Sequence, residues 1–271
     1  MKKFNMIFCV LTYKNYTDVI DFINSIKSSD KINFSYKIII VNNFADERSL
    51  EEIRKIAISN DCDFIENENK GYGHGNNVGI TFARSNYEFD YIVVCNPDTE
   101  IKQFDFKSLK GQEKNIIGPD IICKNGKRQN PMYYKYMPIS EKIVYSGFKN
   151  DNKILLFIGI SLNKLNRYLN NLLTNLVKKR KEKIYACHGS YIIFSKYAIN
   201  KLYPVFDENI FLFCEESILA IKAKKNNIEI ILNKDIVIYH KEDGSMNLSN
   251  SNLSKIQKKS FLYYYNNRSN I

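Results

Sequence analysis

The first hundred residues alternate short apolar runs with amphipathic stretches, and this order restricts the fold more than any other feature. Strands are predicted at 6–11, 37–41, 63–66 and 91–95, and helices at 17–29, 47–60 and 75–85. The predicted strands are rich in β-branched residues, whereas the predicted helices repeat apolar residues at helical spacing. Such alternation favours a parallel sheet that is covered by helices and joined by right-handed crossovers. We therefore predict an α/β fold with a mostly parallel central sheet.

Polar residues follow the predicted strands directly. They are Thr12 and Tyr13, Asn42 and Asn43, Asn69, and Asn96 and Asp98. In open sheets of this kind, ligands bind outside the carboxyl ends of the strands. Asp98 comes just after Pro97, which ends sheet pairing because it has no N–H to donate. Its carboxylate could hold a divalent cation, or it could be an ordinary turn residue.

Composition narrows the classes of partner. The chain has 271 residues and a net charge of +11, which favours a nucleotide, a nucleic acid or an acidic membrane. Its six cysteines form no CxxC pair, so the sequence indicates neither a zinc nor a disulfide framework. No apolar stretch reaches the roughly 18 residues of a membrane span. We expect a cytoplasmic, reduced protein.

The glycine-rich segment 69–79 reads NKGYGHGNNVG and lies between a predicted strand and a predicted helix. It contains neither GxGxxG after the first strand nor Gly-Lys-Ser/Thr. Taken alone, it is most simply a strand-to-helix turn around Gly71. Asn76 and Asn77 nevertheless open the helix, where N–H groups and amides could contact an anion.

Several motifs together resemble a known family. VNN (41–43), ENKGYGHGNNVG (68–79) and NPDTEI (96–101) are similar to motifs of the family-two inverting glycosyltransferases with the GT-A fold. The rhamnosyltransferase-like branch, which builds bacterial surface polysaccharides, is the most similar. The second half agrees through HGSYIIF (188–194), FDENIFLFCEESILAIKAKKNN (206–227) and DIVIYHKEDGS (235–245). The resemblance covers roughly residues 5–245.

The resemblance implies a nucleotide-sugar donor, either dTDP-rhamnose or a UDP-hexose. Asn96 and Asp98 occupy a DXD-like triplet, so Asp98 would hold Mn²⁺ or Mg²⁺, and His240 could add a ligand. The donor pocket would be completed by Thr12, Tyr13, Asn42, Asn43, Asn69, Gly71, Asn76 and Asn77. Asn42 departs from the family, which usually has an aspartate there, so the charge at this position is lost.

The resemblance also assigns the acceptor side. Glu215 and Glu216 stand where the family has Glu-Asp, and the second acid is the usual general base, which makes Glu216 the candidate. The alternative is a solvated helix start, where acidic residues favour the positive end of the dipole. Gly189 would belong to the acceptor-side strand, and Asp207 and Glu208 could bind the donor or acceptor sugar. Ile218 replaces a further acid of the family motif.

Residues 161–183 predict a basic amphipathic helix. Leucines recur at helical spacing, and Lys178, Lys179, Arg180, Lys181 and Lys183 close the segment. Such a helix could lie on a membrane surface, pack on the core or form a dimer interface. The tail 251–271 adds basic and aromatic residues that could join this surface or cover the core.

The sequence as a whole is identified as an inverting, metal-dependent glycosyltransferase. We expect one GT-A domain over 1–250, with a nucleotide-sugar half (1–100) and an acceptor-side half (101–250), followed by the tail. The acceptor would be a glycan or a lipid-linked glycan, met at the inner face of the cell membrane. We expect no nucleic-acid partner. The alternatives are a nucleotide- or nucleic-acid-binding protein without transferase activity, or an inactive scaffold, which Asn42, Asn96 and Ile218 would suit.

Overall fold

The computed structural model describes residues 1–28, 32–177, 179–242 and 250–271, without the side chains of 174–178, 250 and 251. Its strands are β1 (Lys2–Thr12), β2 (Tyr36–Asn43), β3 (Asp63–Asn67), β4 (Tyr87–Cys95), β5 (Thr99–Phe104), β6 (Ile116–Cys123), β7 (Lys181–Ile184), β8 (Tyr191–Ser195) and β9 (Ile230–His240). Its helices are α1 (Tyr16–Lys27), α2 (Glu47–Ser59), α3 (Tyr72–Asn86), α4 (Pro138–Lys149), α5 (Lys153–Val177), α6 (Lys196–Leu202), α7 (Glu215–Lys225) and α8 (Asn250–Asn267).

The described strands form one mixed sheet in the order β3-β2-β1-β4-β8-β6-β9-β5, and β7 pairs with the outside of β9. Strands β1 to β4 are parallel, as the alternation predicts. Strand β8 lies antiparallel between β4 and β6. Because of this inversion, β8 begins at the edge of the sheet where β4 ends, and the segment before it meets the residues that follow β4.

Two apolar layers hold the sheet. One face of the sheet packs on α3, α6 and α7 through residues such as Ile80, Ile199 and Leu219. The other packs on α1 and α2 through residues such as Phe22 and Ile53. Strands between two such layers are buried on both faces, which explains the unbroken apolar runs 6–11 in β1 and 91–95 in β4.

The predicted elements of the first hundred residues are confirmed, with shifted ends. Helix α3 begins at Tyr72, three residues before the predicted start, because Gly71 adopts a φ of +114° and serves as its N-cap. A Cβ at Gly71 would lie 2.5 Å from the carbonyl oxygen of Phe211. The last residues of the helix predicted at 17–29 lie partly outside the described residues.

The prediction of one basic helix over 161–183 is wrong in its extent. Helix α5 starts at Lys153 and ends at Val177, so it takes in the apolar run 154–160. Lys181 and Lys183 belong instead to β7, which pairs with β9, and Lys178 lies outside the described residues. The end of the predicted segment therefore pairs with the edge of the sheet and does not extend the helix. No helix of the described ranges is apolar enough over a sufficient length to cross a bilayer.

The C-terminal tail forms a helix that covers the protein. Tyr264 on α8 is fully buried and packs with Ile210 and Ile218 in a third apolar cluster. Its hydroxyl donates to Glu141 of α4. Helix α8 therefore joins α4 to α7.

Candidate active site

Asp98 and His240 meet where β4 and β9 end. Thr99, the residue after Asp98, pairs with His240 in the antiparallel ladder between β5 and β9. His240 Nε2 lies 3.2 Å from Asp98 Oδ2, and both side chains are buried. The N–H of Lys241 donates to the carbonyl oxygen of Asp98, at 3.0 Å. Two residues that lie far apart in sequence are thus fixed beside each other by strand pairing.

Gln129 orients His240, a role that the sequence does not predict. Its Oε1 lies 2.7 Å from His240 Nδ1 and can accept a hydrogen bond from it, while Nε2 faces Asp98. Its amide nitrogen donates to Glu242 at 2.9 Å. Nothing in the local sequence around Gln129 signals this role, because the contact depends on a loop that returns to the end of β9.

The donor set at Asp98 and His240 fits a divalent cation. A carboxylate oxygen and an imidazole nitrogen lie 3.2 Å apart, and the second nitrogen of the imidazole is held by a neighbour, as is common for metal-ligating histidines. Carboxylate suits both Mg²⁺ and Mn²⁺, whereas imidazole suits transition metals better. The pair therefore favours Mn²⁺ over Mg²⁺.

A second group of ligand atoms includes the same histidine. Cys123, His240 and Glu242 present ligand atoms within 4.8 Å of one another. Cys123 is the cross-strand partner of His240 between β6 and β9. A thiolate in the ligand set would select a softer cation than Mg²⁺ or Mn²⁺. The two donor groups around His240 can thus be separated by experiment.

The segment before β8 connects the Asp98 region with the paired glutamates. The N–H of Asn96 donates to the carbonyl oxygen of Ser190, at 2.9 Å. One residue earlier, the N–H of Gly189 donates to Glu216 Oε1 at 3.1 Å. A Cβ at Gly189 would lie 2.8 Å from that oxygen, so only glycine allows this approach. Tyr72 Oη donates to the carbonyl oxygen of Gly189 at 2.7 Å and fixes the peptide from the other side.

Glu215 and Glu216 occupy the first turn of α7 but have different surroundings. Glu215 is buried, and its Oε1 has no hydrogen-bond partner among the described residues. Glu216 is half-buried and receives the Gly189 N–H. Burial raises the pKa of both carboxyls, and the charge of Glu216 raises the pKa of Glu215 further. A carboxyl with a raised pKa is a stronger base once it is ionised.

The ends of β1 and β2 carry buried polar groups that the fold leaves without partners. Thr12 and Asn42 are register neighbours and are almost completely buried. The hydroxyl of Thr12 and both polar atoms of the Asn42 amide have no hydrogen-bond partner among the described residues. Unpaired buried polar groups are costly, and they concentrate at functional sites. Tyr13 follows, half-buried, on the same edge.

Asn43 organises the neighbouring loop. Its Oδ1 accepts a hydrogen bond from Asn67 at 2.7 Å, and its Nδ2 lies 3.4 Å from both Asn69 Oδ1 and the carbonyl oxygen of Gly71. Asn76 is also buried, and its Nδ2 donates to the carbonyl oxygen of Tyr72. These amides hold the β3–α3 turn in place beside the ends of β1 and β2.

Asn77, Asp207 and Glu208 are occupied by contacts within the chain. Asn77 bonds both the N–H and the carbonyl oxygen of Phe206, and its Nδ2 also donates to Glu208 Oε1 at 2.8 Å. His74 contacts Glu208 at 2.9 Å and lowers the pKa of that carboxyl. Asp207 accepts from Asn209 and from Tyr263 of α8. The three residues thus join α3, the segment before α7, and α8.

The apolar residue at position 218 has a structural explanation. Ile218 is buried and contacts the cluster around Tyr264 of α8. A carboxylate at this position would be buried in an apolar environment without a cation. The absence of the family's acid therefore follows from the way in which α8 covers α7.

Solved structures of glycosyltransferases share this fold. GalNAc-T7 with UDP, GalNAc and Mn²⁺ superposes with a TM-score of 0.61 at 10% identity, over 91% of this chain and 45% of that one. S. aureus TarS 1–349 in complex with UDP-GlcNAc gives 0.54 at 14% identity, over 97% and 72%. The mannosyltransferase PcManGT from Pyrobaculum calidifontis, with GDP-Man and Mn²⁺, gives 0.53 at 13% identity, over 89% and 57%. These likenesses show that the chain has the GT-A fold of these glycosyltransferases, as the sequence predicts.

The sequence comparison is more specific. The family described as Glycosyl transferase family 2 matches residues 7–203, and this chain belongs to that family. The chain is also 25% identical over 190 residues to the low-salt glycan biosynthesis hexosyltransferase Agl10 of Haloferax volcanii. The match covers 68% of this chain and 53% of Agl10, so the chain spans about half the length of that relative.

Proposed function

We propose that this chain transfers a hexose, with inversion, from a nucleotide-sugar donor to a hydroxyl group of a glycan or lipid-linked glycan. The reaction would serve the synthesis of cell-surface polysaccharide at the cytoplasmic side of a bacterial membrane. One observation carries the proposal. The backbone of segment 189–190 contacts both Asn96, two residues before Asp98, and Glu216, which supports an anion-binding group and a base beside one short loop.

On the donor side, Asp98 and His240 would hold the cation, and with it the diphosphate. A divalent cation bound there supplies charge stabilisation as the nucleoside diphosphate departs. Asn96, whose neutral amide replaces the first acid of the usual triplet, would face a ribose hydroxyl or a phosphate oxygen. The agreement between the donor atoms and Mn²⁺ chemistry supports this assignment, as do the relatives whose structures contain Mn²⁺.

On the acceptor side, Glu216 would take the proton from the attacking hydroxyl. The oxygen then attacks the anomeric carbon on the face opposite the diphosphate, so the C–O bond forms as the bond to the diphosphate breaks. The partial exposure of Glu216 supports its choice over Glu215, because a base must reach the acceptor. The Gly189 N–H would hold the carboxylate in position.

Asn42 supports a UDP or dTDP donor over a GDP donor. Uracil and thymine present an N–H between two carbonyl oxygens. One side-chain amide can accept a hydrogen bond from that N–H and donate one to a carbonyl oxygen beside it. Guanine presents two adjacent N–H donors on the corresponding edge, which a carboxylate suits better. The amide of Asn42 beside Thr12, which has no partner among the residues that the structure describes, would therefore contact a pyrimidine.

The test is a donor panel assayed by release of the nucleoside diphosphate. UDP-, dTDP- and GDP-sugars are incubated with the protein and with Mn²⁺, Mg²⁺ or EDTA, and the anomeric configuration of the product is read by NMR. We expect turnover of a UDP- or dTDP-sugar with Mn²⁺, and none in EDTA. Retention of configuration would exclude the inverting mechanism. Oligonucleotide binding without turnover of any donor would favour a nucleic-acid-binding protein, and an inactive scaffold would bind a nucleotide without turning it over.

A further inference from the structure

Helix α5 carries its apolar residues on the side that faces away from the protein. Six large apolar residues recur at helical spacing and form what we call the outer stripe: Ile154, Phe157, Leu165, Tyr168, Leu169 and Leu172. Their exposed fractions run from 46% at Leu172 to 72% at Phe157. The stripe extends over about 27 Å at 1.5 Å per residue.

The opposite side of α5, which contacts the protein, is apolar near its start, where Leu156 lies against Gly147 of α4, and is polar further along the helix. The carbonyl oxygen of Gly159 accepts a hydrogen bond from Ser140 of α4 at 2.7 Å. The Asn171 side chain accepts from Tyr134 at 2.8 Å, and Arg167 donates to the carbonyl oxygen of Arg128. An ordinary surface helix turns most of its apolar residues towards the core, whereas α5 leaves most of its large apolar residues exposed. A continuous exposed apolar surface of this length marks a site that another surface covers.

Charge identifies the covering surface. Helix α5 contains no aspartate or glutamate, and the exposed Lys153 and Lys164 lie along one edge of the outer stripe. If two copies of the chain packed through their outer stripes, the lysines of one copy would lie near those of the other. Each copy also carries a net charge of +11, so the two copies would repel each other. An anionic bilayer offers an apolar interior for the stripe and negative headgroups for the lysines.

The position of α5 relative to the active site is consistent with a membrane-borne substrate. Arg167, on the inner side of the helix, contacts Arg128, and the next residue, Gln129, holds His240. A membrane at the outer stripe would therefore lie close to the proposed catalytic cleft. This step alone rests on the proposed function, because it is the lipid-linked acceptor that makes the proximity useful.

We infer that the outer stripe of α5 lies in the interface of an anionic membrane and holds the catalytic domain there. The sequence predicts a cationic end for this helix, but Lys181 and Lys183 belong to β7 and do not form it. Binding comes from the outer stripe, and the two edge lysines add a salt-sensitive contribution.

The experiment is co-sedimentation with vesicles of phosphatidylcholine, with and without phosphatidylglycerol, at low and high salt. We expect wild-type protein to bind the anionic vesicles at low salt and to be partly released at high salt. Replacing Leu165, Leu169 and Leu172 by Gln should lower the partition coefficient by about tenfold or more, because the buried apolar area supplies much of the binding. The change Ile58→Gln is the matched control, since Ile58 is 73% exposed on α2 and should leave binding unchanged.

Three results would overturn the inference. The first is wild-type protein that stays in the supernatant with anionic vesicles at low salt. The second is a wild-type dimer in light scattering that becomes monomeric in the triple variant, which would mean that a second copy covers the stripe. The third is a triple variant that loses helical circular dichroism or unfolds at much lower temperature, which would assign the leucines to the core. Vesicle binding needs no donor, so its outcome is independent of the donor panel.

Discussion

Glu215 and Glu216 are adjacent and chemically identical, and the difference in the roles proposed for them follows from what surrounds each of them. The side chain of Glu216 reaches the Gly189 N–H and remains partly accessible, whereas that of Glu215 is buried, and one of its oxygens has no hydrogen-bond partner within the described part of the chain. Sequence reasoning could select the pair and, through the family motif, the second acid. It could not supply the surroundings, because Gly189 and Tyr72 come from distant parts of the chain.

The base prediction concerns pH. Glu216→Gln should lower kcat by about 10²–10⁴-fold and leave donor affinity nearly unchanged. In the wild type the base works only when ionised, and burial raises its pKa above the ordinary value of 4.5. Activity should therefore be lost as pH falls through that raised pKa, which a pH profile of kcat measures. Glu215→Gln is the matched control: a larger loss there than in Glu216→Gln would transfer the role of base to Glu215.

The metal prediction separates the two donor groups around His240. Asp98→Asn should reduce turnover by several orders of magnitude and weaken Mn²⁺-dependent nucleotide binding, since a metal's Lewis-acid role is worth several kcal/mol. Cys123→Ser removes the thiol of the second group and should leave both properties close to wild type. Calorimetry of UDP binding with and without Mn²⁺ measures the effect. If Cys123→Ser is the more damaging change, the cation belongs to Cys123 and Glu242 instead.

At the scale of elements, the segment before β8 is the part on which the site depends most. Its backbone contacts Asn96, Glu216 and Tyr72. The family resemblance pointed to Gly189, but the reason for the glycine, an oxygen within 2.8 Å of any Cβ, appears only in three dimensions.

The change Gly189→Ala tests this segment. The added methyl group would displace the Glu216 carboxylate, so kcat should fall by about tenfold or more while nucleotide affinity and thermal stability change little. A double-mutant cycle provides the control. In the Glu216→Gln background the same change should have almost no further effect on kcat, because residues in contact are not additive. Two fully additive losses would show that Gly189 acts through another group.

The elements themselves were predicted unevenly. Strands and helices of the first hundred residues follow from periodicity, because each is a local pattern between two apolar layers. The helix predicted over 161–183 starts later and ends later than α5. The end of α5 is decided by the pairing of β7 with β9, which is a long-range contact. The contact between Gln129 and His240 could not be predicted either, because it also joins residues that are far apart in the sequence.

At the scale of the whole molecule, α8 holds distant parts of the chain together. Tyr264 fills the space beside Ile210 and Ile218 and bonds Glu141 of α4. Its neighbour Tyr263 bonds Asp207 at 3.1 Å. The tail, predicted either to join the basic surface or to cover the core, takes the second course.

The prediction at this scale is one of stability. Tyr264→Ala should lower the free energy of unfolding by about 3–5 kcal/mol, as other large-to-small core changes do. Chemical denaturation measures it. Tyr264→Phe retains the ring and loses only the hydrogen bond to Glu141, so its cost should be much smaller, about 1 kcal/mol. Equal costs for the two variants would mean that the hydroxyl, and not the packing of the ring, fixes α8.

The order of strands in the sheet differs from their order in the chain, and this has a consequence for biosynthesis. Strand β4 ends at Cys95, but β8, which pairs with its free edge, begins only at Tyr191. A ribosome that adds about 5–20 residues per second needs roughly 5–20 s to make the intervening segment. Throughout that interval the nascent chain presents Ile92, Val93 and Val94 on an open strand edge, a surface on which other unfinished chains can pair. Newly made copies should therefore depend on chaperones more than their finished stability would suggest.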